Sequence, residues 1–558
     1  MTPLLFRLLL LGTLLLRVAG TNLLGNGDLE AASLGPYLST SECSVAISTT
    51  EKHGGAQSVH ITGRTAKWAG LGYKLGLSNG IASGKIYAFS GYLKLENLAQ
   101  GFSYHNVTTT VKQTFNDNSQ KFEMLSLQPL VRTGSWIEIG GDFKLLVISR
   151  RSGFTYRYSN RKSTTSLMTE ALSLTEPGIS LSGIDIEAEQ NNCEFGHGTA
   201  VKASLWTDAS YGFYRDFVTK TLKSEWAVIE NDLKWRGMEW TQGTIKFTDA
   251  NATIDDLLSK GISVRGHNMF WSVEKRIPKW VQSITDKDTM KTLIQERISD
   301  AISLTKGRLA HWDVCNEALH GDFYERKTGN VDITMDMFRE MHKKEPSTQL
   351  FLNDFAVVNS GTVHDGMSAL SNQAKSFLDA QVPLHGVGLQ SHLPPSDIDI
   401  TQLKYRLDKI AEAGLPMWIT EMSVTNTNDT AKAQTIEDAL TLYFSHKMVK
   451  GVILWGFWSG AIYDTENALA TGTDSITLNE AGQRYVDLVN TKWRTNWIDP
   501  VRANASWERK CFKGDYTISV KKNGETLKTF DLSLTTDRKL ILWLQGTTGK
   551  PLIKEWIV

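Results

Sequence analysis

Between residues 192 and 497, eight short apolar runs alternate with longer amphipathic segments, and no other feature of the chain narrows its fold so far. The runs read EFGHGTAV, WAVIEN, ISVRGHNMFW, LAHWDVCNE, LFLNDF, GVGLQSH, PMWITE and GVILWGFW. The intervening YRLDKIAEAG carries its apolar residues at helical spacing. Strand–helix alternation repeated eight times over roughly 300 residues is the pattern of a (β/α)8 TIM barrel. An open, doubly wound sheet is the rival, but no G-x-G-x-x-G follows the first run.

In nearly every run the polar residues fall at the C-terminal end. They include Glu230 and Asn231, His267 and Asn268, Asn316 and Glu317, Asn353 and Asp354, Gln390 and His392, and Glu421. Scattered strand-end polarity predicts no such bias, whereas a barrel brings those ends to one rim, the face that carries active sites. Two carboxylates, Glu317 and Glu421, end the fourth and seventh runs. No H-E-x-x-H or G-x-S-x-G occurs, and the histidines are dispersed. Paired carboxylates without metal spacing are the equipment for glycosidic bond cleavage, one as acid and the other as nucleophile or base. That chemistry requires no cofactor.

Residues 1–20, MTPLLFRLLLLGTLLLRVAG, read as a secretory signal peptide: Leu-rich runs, then small residues, then polar Thr21 and Asn22. Arg17 leaves too short an apolar run for a membrane anchor, and no later segment is apolar enough to span. Residues 21–191 consist of short strand-like stretches separated by Gly, Ser, Asn and Asp, which suggests an all-β sandwich. Residues 498–558 form a small C-terminal β region, with Asn523-Gly524 as a hairpin signal.

Lys plus Arg and Asp plus Glu both number 60, so the formal charge is zero and neither nucleic acid nor a membrane surface is implied as partner. Sequons begin at Asn106, Asn251, Asn428 and Asn504, consistent with a secreted glycoprotein. The four cysteines are too few for a disulfide framework. Cys43 and Cys193 bracket the first domain and are candidates to pair; Cys315 reads as a buried free thiol. A monomer is expected.

WDVCNEA, followed by HGDFYE, resembles the acid/base segment of glycoside hydrolase family 10, the endo-β-1,4-xylanase family, and ITEMSV resembles its nucleophile segment. ENDLKW, RGHNMFW, LFLNDF, GVGLQSH and LWGFW follow in that family's order, so the likeness spans the barrel. GHNMFW and the HGDFYE continuation are most similar to the multidomain plant and animal branch. The resemblance implies Glu317 as general acid/base and Glu421 as nucleophile, with net retention and carboxyls about 5 to 5.5 Å apart. It implies Asn316 on the sugar 2-hydroxyl, with His392 orienting Glu421 and linking it to Asp313. Glu230, Asn231, Lys234, His267, Trp271 and Gln390 would line the substrate site, and Trp455 and Trp458 would form an aromatic platform.

NLLGNGDLE and HGGAQSVHITGRTAKWAGLGYKL resemble xylan-binding-type carbohydrate-binding modules, which are jelly rolls. That likeness places sugar stacking on Trp68, with Tyr104 as a second candidate, and allows a structural calcium near Glu30 and Asp185. A module turned structural spacer is the other reading of the region. Three departures stand out: Ser272-Val273-Glu274 where relatives have His-Ser-Gln, Ser423 for an Asp, and Phe355 for a Tyr. The expected substrate is a plant β-1,4-glycan, xylan first, with β-1,4-glucan or mixed-linkage glucan next. A non-catalytic polysaccharide-binding protein is the reading from another class.

Overall fold

The computed structural model describes residues 183–358, 367–395, 398–501 and 506–536 without a break. Before them it describes chiefly 6–10, 15–18, 29–34, 43–53, 55–64, 69–73, 85–97, 104–114, 120–144 and 164–174, and after them 538–545 and 552–557. Eight parallel strands form the barrel: β1 Gly196–Val201, β2 Trp226–Ile229, β3 Ser263–Gly266, β4 His311–Asn316, β5 Gln349–Asp354, β6 Gly386–Leu389, β7 Met417–Val424 and β8 Val449–Leu454. They follow in sequential order and the sheet closes where β3 pairs β4. All eight apolar runs of the sequence supply one strand each.

Helices return the chain between strands. They include α1 Lys287–Thr305, α2 Phe323–Thr328, α3 Ile333–Lys344, α4 Met367–Asp379, α5 Ile400–Ala411 and α6 Asp429–Ser445. Asp286, Asp399 and Asn428 cap α1, α5 and α6 by accepting first-turn backbone N–H groups. The α5 segment is the one whose spacing reads as helical, and its buried residues Gln402, Leu403, Arg406, Leu407 and Ile410 lie on one face.

The chain divides into two compact units, the first comprising Met1–Phe154, Val228–Leu258 and Val264–Ser423, the second Thr155–Ala227, Ser259–Ser263 and Val424–Val558. In the first, an antiparallel sandwich buries Val59, Ile61, Tyr87, Leu93, Leu95, Leu125 and Phe143 in one core. Strands Phe6–Leu10 and Leu15–Val18 pair with Ile86–Asn97 in its larger sheet. Sandwich residues also meet barrel helices here. Asp142 is fully buried against α5, where Gln402 Nε2 donates at 2.6 Å and Arg406 Nε at 3.2 Å. Asn372 on α4 donates to Gln128 Oε1 and to the Glu138 carbonyl.

The second unit holds a separate β assembly. One sheet runs Ser506–Phe512, Thr164–Leu174, Arg538–Gln545, Leu552–Ile557, and the other runs Trp497–Pro500, Ile184–Cys193, Gly514–Lys522, Glu525–Leu534. Strands 164–174 and 184–193, read from sequence with the N-terminal sandwich, therefore pair with the C-terminal strands instead. Ile184, Ile186 and Ala188 complete a core with Tyr516, Ile518, Val520 and Leu532 that the C-terminal strands cannot close alone. Asn523 and Gly524, both at positive φ, form the expected hairpin turn between Lys522 and Glu525.

Candidate active site

Glu317 follows the last residue of β4, with its backbone in the left-handed region at φ 60°. For a glutamate that conformation costs about 1–3 kcal/mol and persists only where surroundings impose it. Here the Glu317 N–H donates to the Asn353 carbonyl at 2.8 Å, and its own carbonyl accepts from His320 N at 3.0 Å. Trp271 Nε1 donates to Oε2 at 2.7 Å and Gln390 Nε2 to Oε1 at 3.2 Å. Burial pushes the Glu317 carboxyl above the usual range; the two donors pull it back, but the Asp354 and Glu421 charges add to the rise.

Glu421 lies within β7 and is 5% exposed. Asn353 Nδ2 donates to its Oε1 at 2.9 Å, His392 Nε2 lies 3.4 Å from Oε2, and His267 Nε2 lies 3.8 Å from Oε1. Burial alone would raise this carboxyl, yet His267, His392 and Lys234 outweigh it and hold the pKa below the usual value. The two glutamates are joined by three amides: Gln390 Nε2 donates to both Glu317 Oε1 and Asn316 Oδ1, and Asn353 Nδ2 donates to both Asn316 Oδ1 and Glu421 Oε1. With its Oδ1 taken twice, Asn316 keeps its amide N–H groups for a ligand.

The histidine roles differ from the sequence-based expectation. His267, not His392, links Glu421 to Asp313: its Nδ1 lies 2.9 Å from Asp313 Oδ2. Arg265 clamps the other side of Asp313 from inside the barrel, its Nε donating to Oδ2 at 3.2 Å and its Nη2 to Oδ1. His392 instead meets Ser423, Nδ1 to Oγ 2.8 Å. The hydroxyl two residues past Glu421 thus holds the side of the His392 ring that faces away from Glu421.

On the β2 side, Asn231 Nδ2 donates to Glu230 Oε1 at 3.0 Å and Lys234 Nζ donates to Asn231 Oδ1 at 2.9 Å. The Lys234 ammonium and the Arg276 guanidinium lie 5.0 and 5.1 Å from the centre of the Trp271 ring. Burial lowers the Lys234 pKa while Glu421 and Glu230 support its charge. Glu274, the added charge in this loop, is neutralised by Arg326, whose Nη2 lies 2.9 Å from its Oε2.

Two residues placed by sequence among the sugar contacts, Trp458 and Tyr104, stand elsewhere. Trp458 is buried, packs edge-on to Phe213 and spends its Nε1 on the Gly472 carbonyl at 2.8 Å, so it is core packing. Trp455 sits half-buried just past β8. Tyr104 is buried, with its hydroxyl donating to Asp322 Oδ2 at 2.8 Å, which takes it off any open sandwich face. Trp68 lies outside the described residues. Of the two carboxylates named for a calcium, Glu30 accepts the Ala56 N–H at its Oε1, and Asp185 lies on strand Ile184–Cys193 of the second unit. Among the described residues no cluster of three or more His, Cys, Asp or Glu is arranged to hold a metal. Cys43 donates to the Gly70 carbonyl, and Cys315 is a buried thiol, as expected.

Sequence reasoning gave no role to Asp354 and His320. Asp354 ends β5 and gathers the acid/base loop: Leu319 N donates to Oδ2 at 2.8 Å and His320 Nδ1 lies 2.6 Å from Oδ1. The His320 ring stacks on Phe355 at 3.8 Å. Their only sequence signal was position at a strand end or within HGDFYE.

Two buried carboxyls whose pKa values are pushed in opposite directions thus share one amide network. A family model for glycosyl hydrolase family 10 matches residues 186–470. The chain belongs to glycosyl hydrolase family 10. A carbohydrate binding domain model matches residues 21–150. Endo-1,4-beta-xylanase 1 of Arabidopsis thaliana is 31% identical over 65% of this chain and 38% of its own length. An anti-sigma-I factor of Acetivibrio thermocellus is 34% identical over 62% of this chain and 44% of its own. The chain thus spans under half the length of these two relatives. Among solved structures, xylanase 10B from Thermotoga petrophila, in complex with xylobiose, matches at 20% identity and TM-score 0.48, over 54% of this chain and 95% of that one.

Proposed function

We propose that this family 10 protein is a retaining endo-glycosidase that cleaves internal β-1,4 bonds of plant polysaccharide, xylan foremost. The observation that carries the reading is the opposite displacement of two carboxyls in one network, Glu317 up and Glu421 down. Glu317 protonates the departing sugar oxygen while Glu421 attacks the anomeric carbon. Glu317, now ionised, then draws a proton from the water that releases the product. Asn316 hydrogen-bonds the 2-hydroxyl as positive charge develops, and Trp271 and Lys234 hold the sugar beside it. The protein is read as a secreted, glycosylated monomer with no cofactor. Its Leu-rich start supports secretion, but strands 6–10 and 15–18 pair into the sandwich, so N-terminal sequencing of the exported protein decides whether they are retained.

Reducing-sugar release from xylan, cellulose and mixed-linkage glucan by wild type and Glu421→Ala tests the activity. The expectation is release by wild type, fastest on xylan, with at least a thousandfold loss in the variant; the same assay separates a glucanase. Equal, background release by both forms on all three glycans would favour a non-catalytic polysaccharide-binding protein. Proton NMR of the first product should show the β-anomer; an α-anomer would overturn retention.

A further inference from the structure

The sandwich does more at the barrel than pack. Asp322 lies five positions after Glu317, at the N-cap of α2, the place where an aspartate ordinarily accepts backbone N–H groups of its own helix. Its side chain makes no such bond. One oxygen, Oδ2, accepts the phenol of Tyr104 from the sandwich at 2.8 Å, and the other, Oδ1, accepts Arg326 Nε at 2.9 Å. Arg326 reaches on to Glu274 Oε2 at 2.9 Å, in the loop that carries Trp271. That loop and the acid/base loop lie against each other. Phe323 N donates to the Ser272 carbonyl, and a Cβ on Gly321 would meet the Ser272 carbonyl oxygen at 2.3 Å. Trp271 in turn holds Glu317 directly. Burial keeps the Tyr104 phenol protonated, so it remains a donor.

We propose that Tyr104 is a positioning residue for the glycosidase reaction, a latch through which the sandwich fixes the loop bearing Glu317 and, by way of Arg326 and Glu274, the loop bearing Trp271. The sandwich is then part of the catalytic apparatus, not a detachable binding module. The latch concerns the loop, while its effect on rate rests on the function proposed above.

The test uses the full chain with Tyr104→Phe, which keeps the ring and removes the hydroxyl. Arg132→Ala is the control: it loses a neighbouring contact between sandwich and barrel, at Asp332 ahead of α3, and leaves the Tyr104–Asp322 bond in place. Two substrates separate positioning from general weakening. Cleavage of xylan needs proton donation by Glu317, whereas an aryl glycoside with a dinitrophenolate leaving group departs without it. Tyr104→Phe is expected to lower kcat on xylan about five- to tenfold with KM little changed. It should leave kcat/KM for the aryl substrate within twofold, because that constant ends at departure of the phenolate, before Glu317 acts as base, and it should move the basic limb of the xylan pH profile. Arg132→Ala should match wild type on both. Hydrogen exchange of amides 318–328 should speed up in Tyr104→Phe alone.

Unchanged exchange and unchanged kcat, or an equal loss of kcat/KM on both substrates, would overturn the latch. Wild type that hydrolyses nothing would sink the proposed activity, and the exchange measurement would still judge the latch.

Discussion

Beneath the acid/base loop, Glu325 is buried with Thr334 donating to its Oε1, while Oε2 meets no donor. Burial pushes its pKa up to about 7 from the ordinary glutamate value of 4.5. Between those two values the unfolded chain binds fewer protons than the folded one, so stability falls as pH rises through that window and stays lower above it. Glu325→Gln removes the ionisation and keeps an acceptor for Thr334. Urea unfolding should find the variant more stable than wild type by roughly 3 kcal/mol at pH 8, and not at pH 4. An equal difference at both would mean that the carboxyl titrates normally. The reacting pair follows the same logic. In the proposed reaction Glu421 is ionised and Glu317 protonated, so kcat/KM should be bell-shaped, its acid limb below and its basic limb above the ordinary carboxylate range. Trp271→Phe removes a donor that favours ionised Glu317, so the basic limb should move to higher pH; movement to lower pH would contradict the geometry.

At the scale of elements, β6 illustrates how strand and site specify one another. Gly388 faces Asn353, and a Cβ there would lie 2.3 Å from Asn353 Oδ1 and 2.9 Å from the Thr420 methyl. Only hydrogen fits beside the amide that bridges Asn316 and Glu421. Gly388→Ala should therefore displace Asn353 and lower kcat about tenfold or more on xylan, with the fold retained by circular dichroism. Activity within twofold of wild type would show that the amide network tolerates the shift. The barrel strands were legible because each is a short apolar run with a polar end. Their rim residues were legible for the same reason, and Glu317 and Glu421 with them. The exchange of roles between His267 and His392 was not. Both end apolar runs, and only side-chain direction decides which one reaches Asp313. Nor did any local signal tie strands 164–174 and 184–193 to residues some 300 positions on. Strand pairing depends on complementary faces, and alternation alone does not name the partner.

At the scale of the whole molecule, the first unit holds sandwich and barrel together through Tyr104, Gln128, Arg132 and Asp142, four positions spread over different sandwich strands and their connections. Asp142 has the largest energetic consequence, since it and Arg406 are wholly buried. Truncating one partner of such a pair leaves an uncompensated charge and costs about 3–5 kcal/mol, whereas replacing both with apolar side chains is often neutral. Asp142→Ala should lower the melting temperature by several degrees. Asp142→Leu combined with Arg406→Met and Gln402→Leu should recover most of that loss. Calorimetry should also show sandwich and barrel melting in one transition, because neither can open at this contact without exposing the pair. Two separated transitions in wild type, with Asp142→Ala shifting only the lower, would mean that the sandwich melts independently and that its grip on the barrel is weak.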